Sequence, residues 1–111
     1  MLNSHLTENA EIMGIVEAIL NTVPVLEIYI FGSYANGTAN EDSDYDFYVV
    51  IPDGDLRAIE ASRLIRSAMP KQTKPIDMLV GTISKFNKYK NTISFIEGEV
   101  ARKGYKLYEQ V

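Results

Sequence analysis

Asp44 and Asp46 stand at the head of the apolar run Tyr45-Asp46-Phe47-Tyr48-Val49-Val50-Ile51. On a strand, alternate residues share a face, so the two carboxylates project to one side, about 7 Å apart along the chain. Carboxylates so placed can bend toward a common centre. An all-oxygen donor set suits a hard cation such as Mg²⁺, which takes one or two protein carboxylates and fills its shell with water and substrate phosphates. Upstream, Gly32-Ser33 closes another apolar run, and ten residues separate Ser33 from Asp44. Without a Cβ, Gly32 lets a phosphate approach the backbone closely. Ser33 offers a hydroxyl, and a short helix starting there would aim free N–H groups at an anion. Asp77, which follows Pro75 at the start of a third apolar run, is the candidate third carboxylate. Burial of Ile76, Met78 and Val80 would turn it toward the side of the Asp44–Asp46 pair. Two divalent ions held about 3.5–4 Å apart can stabilise the attacking and leaving oxygens of a phosphoryl displacement. The ligands indicated are divalent metal and a nucleoside triphosphate.

The elements that must position these residues are legible in outline. Ile12, Ile15, Val16, Ile19 and Leu20 recur at helical spacing, so 8–21 is expected to be an amphipathic helix with Thr7 as its N-cap. Residues 25–31 read as a mostly buried strand and 44–51 as a second, with Tyr45, Phe47, Val49 and Ile51 on one face and Asp44, Asp46, Tyr48 and Val50 on the other. Pro52-Asp53-Gly54 is a turn. Asp53 or Asp55 is then the expected cap of a helix over 56–69, with Leu56, Ile59, Leu64, Ile65 and Ala68 as its inner stripe. Residues 76–80 read as a third strand, so this strand–helix–strand unit should join parallel strands by a right-handed crossover. The stretch 83–90 is ambiguous, a last helix capped by Asn91 or Thr92 is expected to run to about Lys103, and 105–108 reads as a short terminal strand. Gly98 counts against that last helix, at about 1 kcal/mol relative to Ala.

Bulk properties bound the class. A chain of 111 residues supports one modest core, so 1–111 is expected to form one domain. No apolar run reaches the roughly 20 residues that span a bilayer, and 1–11 lacks the basic and apolar blocks of a secretory leader. Cysteine is absent, which excludes disulfides and thiolate metal sites and fits a cytoplasmic location. A net charge of −4 argues against general nucleic-acid binding. Charge is nonetheless segregated, acidic from Glu41 to Glu60 and basic from Lys85 to Lys106. The basic part is either a solvated face or a holder of phosphates or a partner.

The stretch Gly32-Ser33-Tyr34-Ala35-Asn36-Gly37-Thr38-Ala39-Asn40-Glu41-Asp42-Ser43-Asp44-Tyr45-Asp46 resembles the signature of the nucleotidyltransferase superfamily, to which DNA polymerase beta belongs: Gly-Ser, ten residues, Asp-x-Asp. Nearly the whole chain fits the small members, the minimal nucleotidyltransferases often encoded beside a HEPN-domain partner. The resemblance implies an α/β (α+β) fold with a small mixed sheet flanked by helices, and transfer of a nucleotidyl group from a triphosphate, AMP from ATP being the expected case. It implies that Gly32, Ser33 and Tyr34 contact the nucleotide. Asp44, Asp46 and Asp77 would be catalytic and would ligate a two-metal Mg²⁺ centre, in which Mn²⁺ can substitute. A HEPN-domain toxin is the implied partner, modified on a hydroxyl or neutralised by binding, with a homo- or hetero-oligomer as the expected state. The alternatives are an antitoxin acting by occlusion and a transferase for small molecules such as aminoglycosides. Many relatives carry Arg near the positions of Tyr34 and Asn36; here both are neutral, and Lys71 and Lys74 are the candidate replacements.

Overall fold

The computed structural model describes residues 4–110. A 3-10 turn, Ser4–Glu8, precedes α1 (Ala10–Leu20). Then follow β1 (Glu27–Phe31), α2 (Ser33–Asn36), β2 (Tyr45–Ile51), α3 (Ala58–Ala68), β3 (Ile76–Thr82), α4 (Ile83–Tyr89), α5 (Ile96–Lys103) and β4 (Tyr105–Glu109). The four strands form one mixed sheet in the order β3-β2-β1-β4. β1 pairs antiparallel with both β2 and β4, while β2 and β3 run parallel, as the intervening helix led us to expect.

The sheet is packed on both faces. Ile28, Ile30, Tyr45, Phe47, Val49, Ile51 and Met78 form one buried cluster with Ile12, Ile15, Ile19, Ala61 and Ile65 of α1 and α3. Tyr29, Phe31, Tyr48 and Val50 point the other way and pack on Phe86 of α4 and Val100 of α5. Double-sided burial explains why β1 and β2 are near-continuous apolar runs, and a one-residue slip of β2 would carry Asp46 into the α1/α3 core.

Several local expectations need correction. The N-cap of α1 is Asn9, not Thr7: its Oδ1 accepts from the Ile12 amide at 3.1 Å, and Thr7 lies in the preceding 3-10 turn. Neither Asp53 nor Asp55 caps α3, whose N-cap position is held by Arg57, with its amide donating to Glu60 Oε1 at 3.1 Å. Asp53 instead accepts from the Ser84 amide (3.2 Å) and hydroxyl, tying the turn after β2 to α4. The α3 stripe is narrower than expected, because Ala61 and Ile65 are buried while Ile59 and Leu64 are exposed on its flanks. The ambiguous stretch is helical, with Thr82 capping α4 through the Lys85 amide. Finally, α5 begins at Ile96, because 92–95 turn back so that the Thr92 carbonyl packs directly on Gly98. Any Cβ at Gly98 would overlap that carbonyl, which is why glycine stands inside this helix.

Candidate active site

β1 ends at Phe31, and Gly32 then takes φ 70° and ψ −146°, backbone geometry that is nearly exclusive to glycine. A second glycine, Gly37 at φ 79°, ends the single turn of α2. Between them the Gly32 carbonyl accepts from the amides of Ala35 (3.1 Å) and Asn36 (3.0 Å), leaving those of Ser33 and Tyr34 ahead of the first intrahelical bond. The short helix anticipated at Ser33 is therefore present, and it opens at the end of the sheet where β2 and β3 begin.

Phe31 is registered with Asp46 on β2, and Asp46 in turn with Asp77 on β3. The two aspartates thus stand side by side on the α4/α5 face. A Cβ on Gly32 would overlap Asp46 Oδ2, so the glycine turn and this carboxylate are in contact distance of each other. Asp46 is half-buried, and its pKa is pushed up to about 6. Burial is the largest cause; the negative charge of Asp77 and a hydrogen bond shared with it come next, followed by the charges of Asp44 and Glu99. Asp44 itself is exposed just before β2. Among the described residues no three acidic or histidine groups already form a closed cation cage. The pair Asp46–Asp77 is what the fold brings together, with Asp44 at its entrance.

Two clamps hold this end of the molecule. Glu11 of α1 accepts from the Tyr45 hydroxyl at 2.5 Å, the Thr73 amide at 2.6 Å and the Thr73 hydroxyl at 2.8 Å, which lowers its pKa. Lys74 donates to the carbonyls of Glu41 (2.7 Å) and Asn40 (3.4 Å). It fastens the acidic loop rather than standing free for a phosphate, while Lys71 remains exposed. Tyr34 packs its ring on Tyr45, with centroids 5.0 Å apart, and Asn36 is exposed, so neither brings a cation to the turn.

Sequence reasoning missed two acidic residues of α5. Glu99 lies near enough to Asp46 to raise its pKa. Glu97 is 2% exposed and accepts from the Tyr48 hydroxyl at 2.7 Å, with Lys85 Nζ at 3.8 Å. Gly98 between them was the available signal, since a glycine inside a helix often marks a close packing contact. A hollow of about 260 Å³, lined by Pro24, Ile51, Pro52 and Leu56, lies at the opposite end of β2 and contains none of these carboxylates.

Comparison with known proteins agrees with this architecture. A crystal structure described as a toxin–antitoxin with AMP-PNP superposes with TM-score 0.60 at 22% identity, covering 91% of this chain and 74% of that one. A Sulfolobus solfataricus protein assigned as a nucleotidyltransferase gives TM-score 0.64 at 16% identity over 98% of this chain and 85% of its own. A mutant of the toxin–antitoxin MntA–HpeT gives 0.56 at 20%, covering 86% and 71%. These likenesses establish a shared fold. No curated protein matches the chain significantly. The family model for the nucleotidyltransferase domain matches residues 12–102, from the first turn of α1 to the last of α5. With the mixed sheet, the glycine turn and the registered aspartates in place, the chain belongs to the nucleotidyltransferase domain family.

Proposed function

We propose that this chain transfers a nucleoside monophosphate, AMP from ATP, to a hydroxyl of a partner protein, as the cytoplasmic antitoxin of a HEPN-domain toxin. The observation that carries the reading is the registered pair Asp46–Asp77 set against Gly32 at φ 70°. The residues fit a hard divalent cation: the donors are all oxygen, and burial together with the neighbouring negative charge of Asp77 raises the pKa of Asp46 to about 6, a cost that a bound cation would offset. Mg²⁺ held by Asp44, Asp46 and Asp77 (or Mn²⁺ in its place) would neutralise the triphosphate and the charge that develops in the transition state.

The chain's own contribution is positioning and preorganised polarity. Gly32 leaves room at the backbone, and the Ser33 and Tyr34 amides with the Ser33 hydroxyl receive phosphate oxygens. Asp77 orients the acceptor hydroxyl and takes its proton. The acceptor oxygen then bonds to the α-phosphorus as the bond to the pyrophosphate oxygen breaks, and pyrophosphate leaves. The toxin–antitoxin neighbours support the antitoxin role. The absence of a cation on Tyr34 and Asn36 favours a second reading, neutralisation by occlusion on a retained catalytic scaffold.

Incubation with ATP, Mg²⁺ and the protein encoded by the adjoining gene, read by intact mass, separates the two. A gain of one AMP on that protein, absent with Asp46→Asn, supports transfer. A stable but unmodified complex with both forms supports occlusion.

A further inference from the structure

The site described so far holds carboxylates, amides and a hydroxyl, but no cation for the triphosphate. The register of β4 identifies where one stands. Tyr105 pairs with Ile30, and Gly104 is extended (φ −72°, ψ 157°), so it continues the strand opposite Phe31. The C-terminal end of α5, with Lys103 as its last residue, is therefore brought to the end of the sheet where β1 gives way to Gly32. The corner is tight, because the Gly104 amide bonds the Val100 carbonyl at 2.9 Å and a Cβ on Gly104 would crowd that same carbonyl.

The face of α5 that looks toward the site is marked independently. Glu99 is the residue whose charge is felt at Asp46, and Val100 packs with Phe31 in the buried cluster. Residues four apart lie one above the other on a helix, so Lys103 extends the Glu99 side by one turn toward the glycine corner. Arg102 differs: its guanidinium lies over Gly98, toward the Thr92 loop. Lys103 is exposed and forms no ion pair or hydrogen bond among the described residues, unlike Lys74, Lys85 and Lys106.

We propose that Lys103 is the cationic phosphate-binding residue of this chain, supplying from the end of α5 the charge that Tyr34 and Asn36 do not supply from α2. The inference rests on the nucleotidyl-transfer reading above. A compact ammonium on a flexible four-carbon stem suits a triphosphate as a point charge. The structural alternative is that Lys103 merely offsets the negative end of the α5 dipole, a role Arg102 would share equally.

Equilibrium binding of Mg·ATP to the wild type and to the variants Lys103→Met, Lys103→Arg and Arg102→Ala tests this, with thermal unfolding alongside. Expected is a loss of about tenfold in affinity for Lys103→Met, with Lys103→Arg and Arg102→Ala near wild type. The deficit of Lys103→Met should shrink as salt is raised, while its Tm stays within that of Arg102→Ala. Unchanged ATP affinity in Lys103→Met, or equal losses in Lys103→Met and Arg102→Ala, would overturn the inference while leaving the transfer reading standing. A folded wild type that binds no ATP would remove the transfer reading itself, and this inference with it.

Discussion

Asp46 is pulled two ways, toward its proton by burial and by Asp77, and toward ionisation by any cation that enters. Its ordinary value of 3.8 rises to about 6 in the folded chain. A raised folded value means the native state binds the proton more tightly, so this contribution is full below about pH 3.8 and is lost as pH rises through about 6. Asp46→Asn, neutral throughout, should therefore gain on the wild type as pH rises from 4 to 7, to a Tm difference on the order of 5 °C. Mg²⁺ with ATP should close that gap by stabilising the wild type alone. A difference that stays flat with pH would refute the assigned cause. Gly32→Ala should cost about 1–3 kcal/mol in denaturant titration, since it meets both the disfavoured φ and the Asp46 carboxylate. The strand alternation made the facing of Asp46 and Asp77 legible, because the period of two leaves only one register that buries Phe47 and Met78. Glu99 was not legible, since its approach to Asp46 depends on where α5 crosses the sheet.

Among the elements, α5 is the one whose placement the site depends on most. Its docking is fixed by Gly98 against Thr92, Val100 in the apolar cluster, and the buried bond from Tyr48 to Glu97. Because Tyr48 follows Asp46 on the same strand face, that bond ties the helix to the strand that carries Asp46. Tyr48→Phe should lose about 1–3 kcal/mol, as Glu97 would stay buried with only the distant Lys85 for company. The double variant Tyr48→Phe with Glu97→Met should recover much of the loss, since it leaves no buried charge. A double variant as unstable as the sum of its parts would argue that shape, not charge satisfaction, sets the cost. Element existence was largely legible from periodicity, including the parallel β2–β3 pair. The limits were less so. Asn9 displaced Thr7 as a cap because it stands immediately before the helical stretch, and Ile59 and Leu64 were misassigned because α3 lies on the sheet along the line of Ala61 and Ile65.

At the scale of the molecule, a four-stranded sheet padded on both faces leaves one of its ends to carry chemistry, with Gly32-Ser33, Asp46 and Asp77 at the rim and α5 along one side. No described helix is long and apolar enough to cross a membrane. Exposed Ile93, Phe95 and Ile96, 83%, 43% and 37% accessible, give the start of α5 an apolar surface on the same helix whose other end adjoins the site. The family was legible because its signature is local in sequence. The neutral Tyr34 and Asn36 were legible as departures, but where the compensating charge stands is not, since it depends on the pairing of β4 with β1. The most direct test of the central claim is transfer of α-phosphate label from ATP, with Mg²⁺, to proteins of the host lysate, comparing wild type with Asp46→Asn. The account predicts a labelled protein band with the wild type and none with the variant. Equal labelling by both, or none by either while both bind the partner, would contradict it.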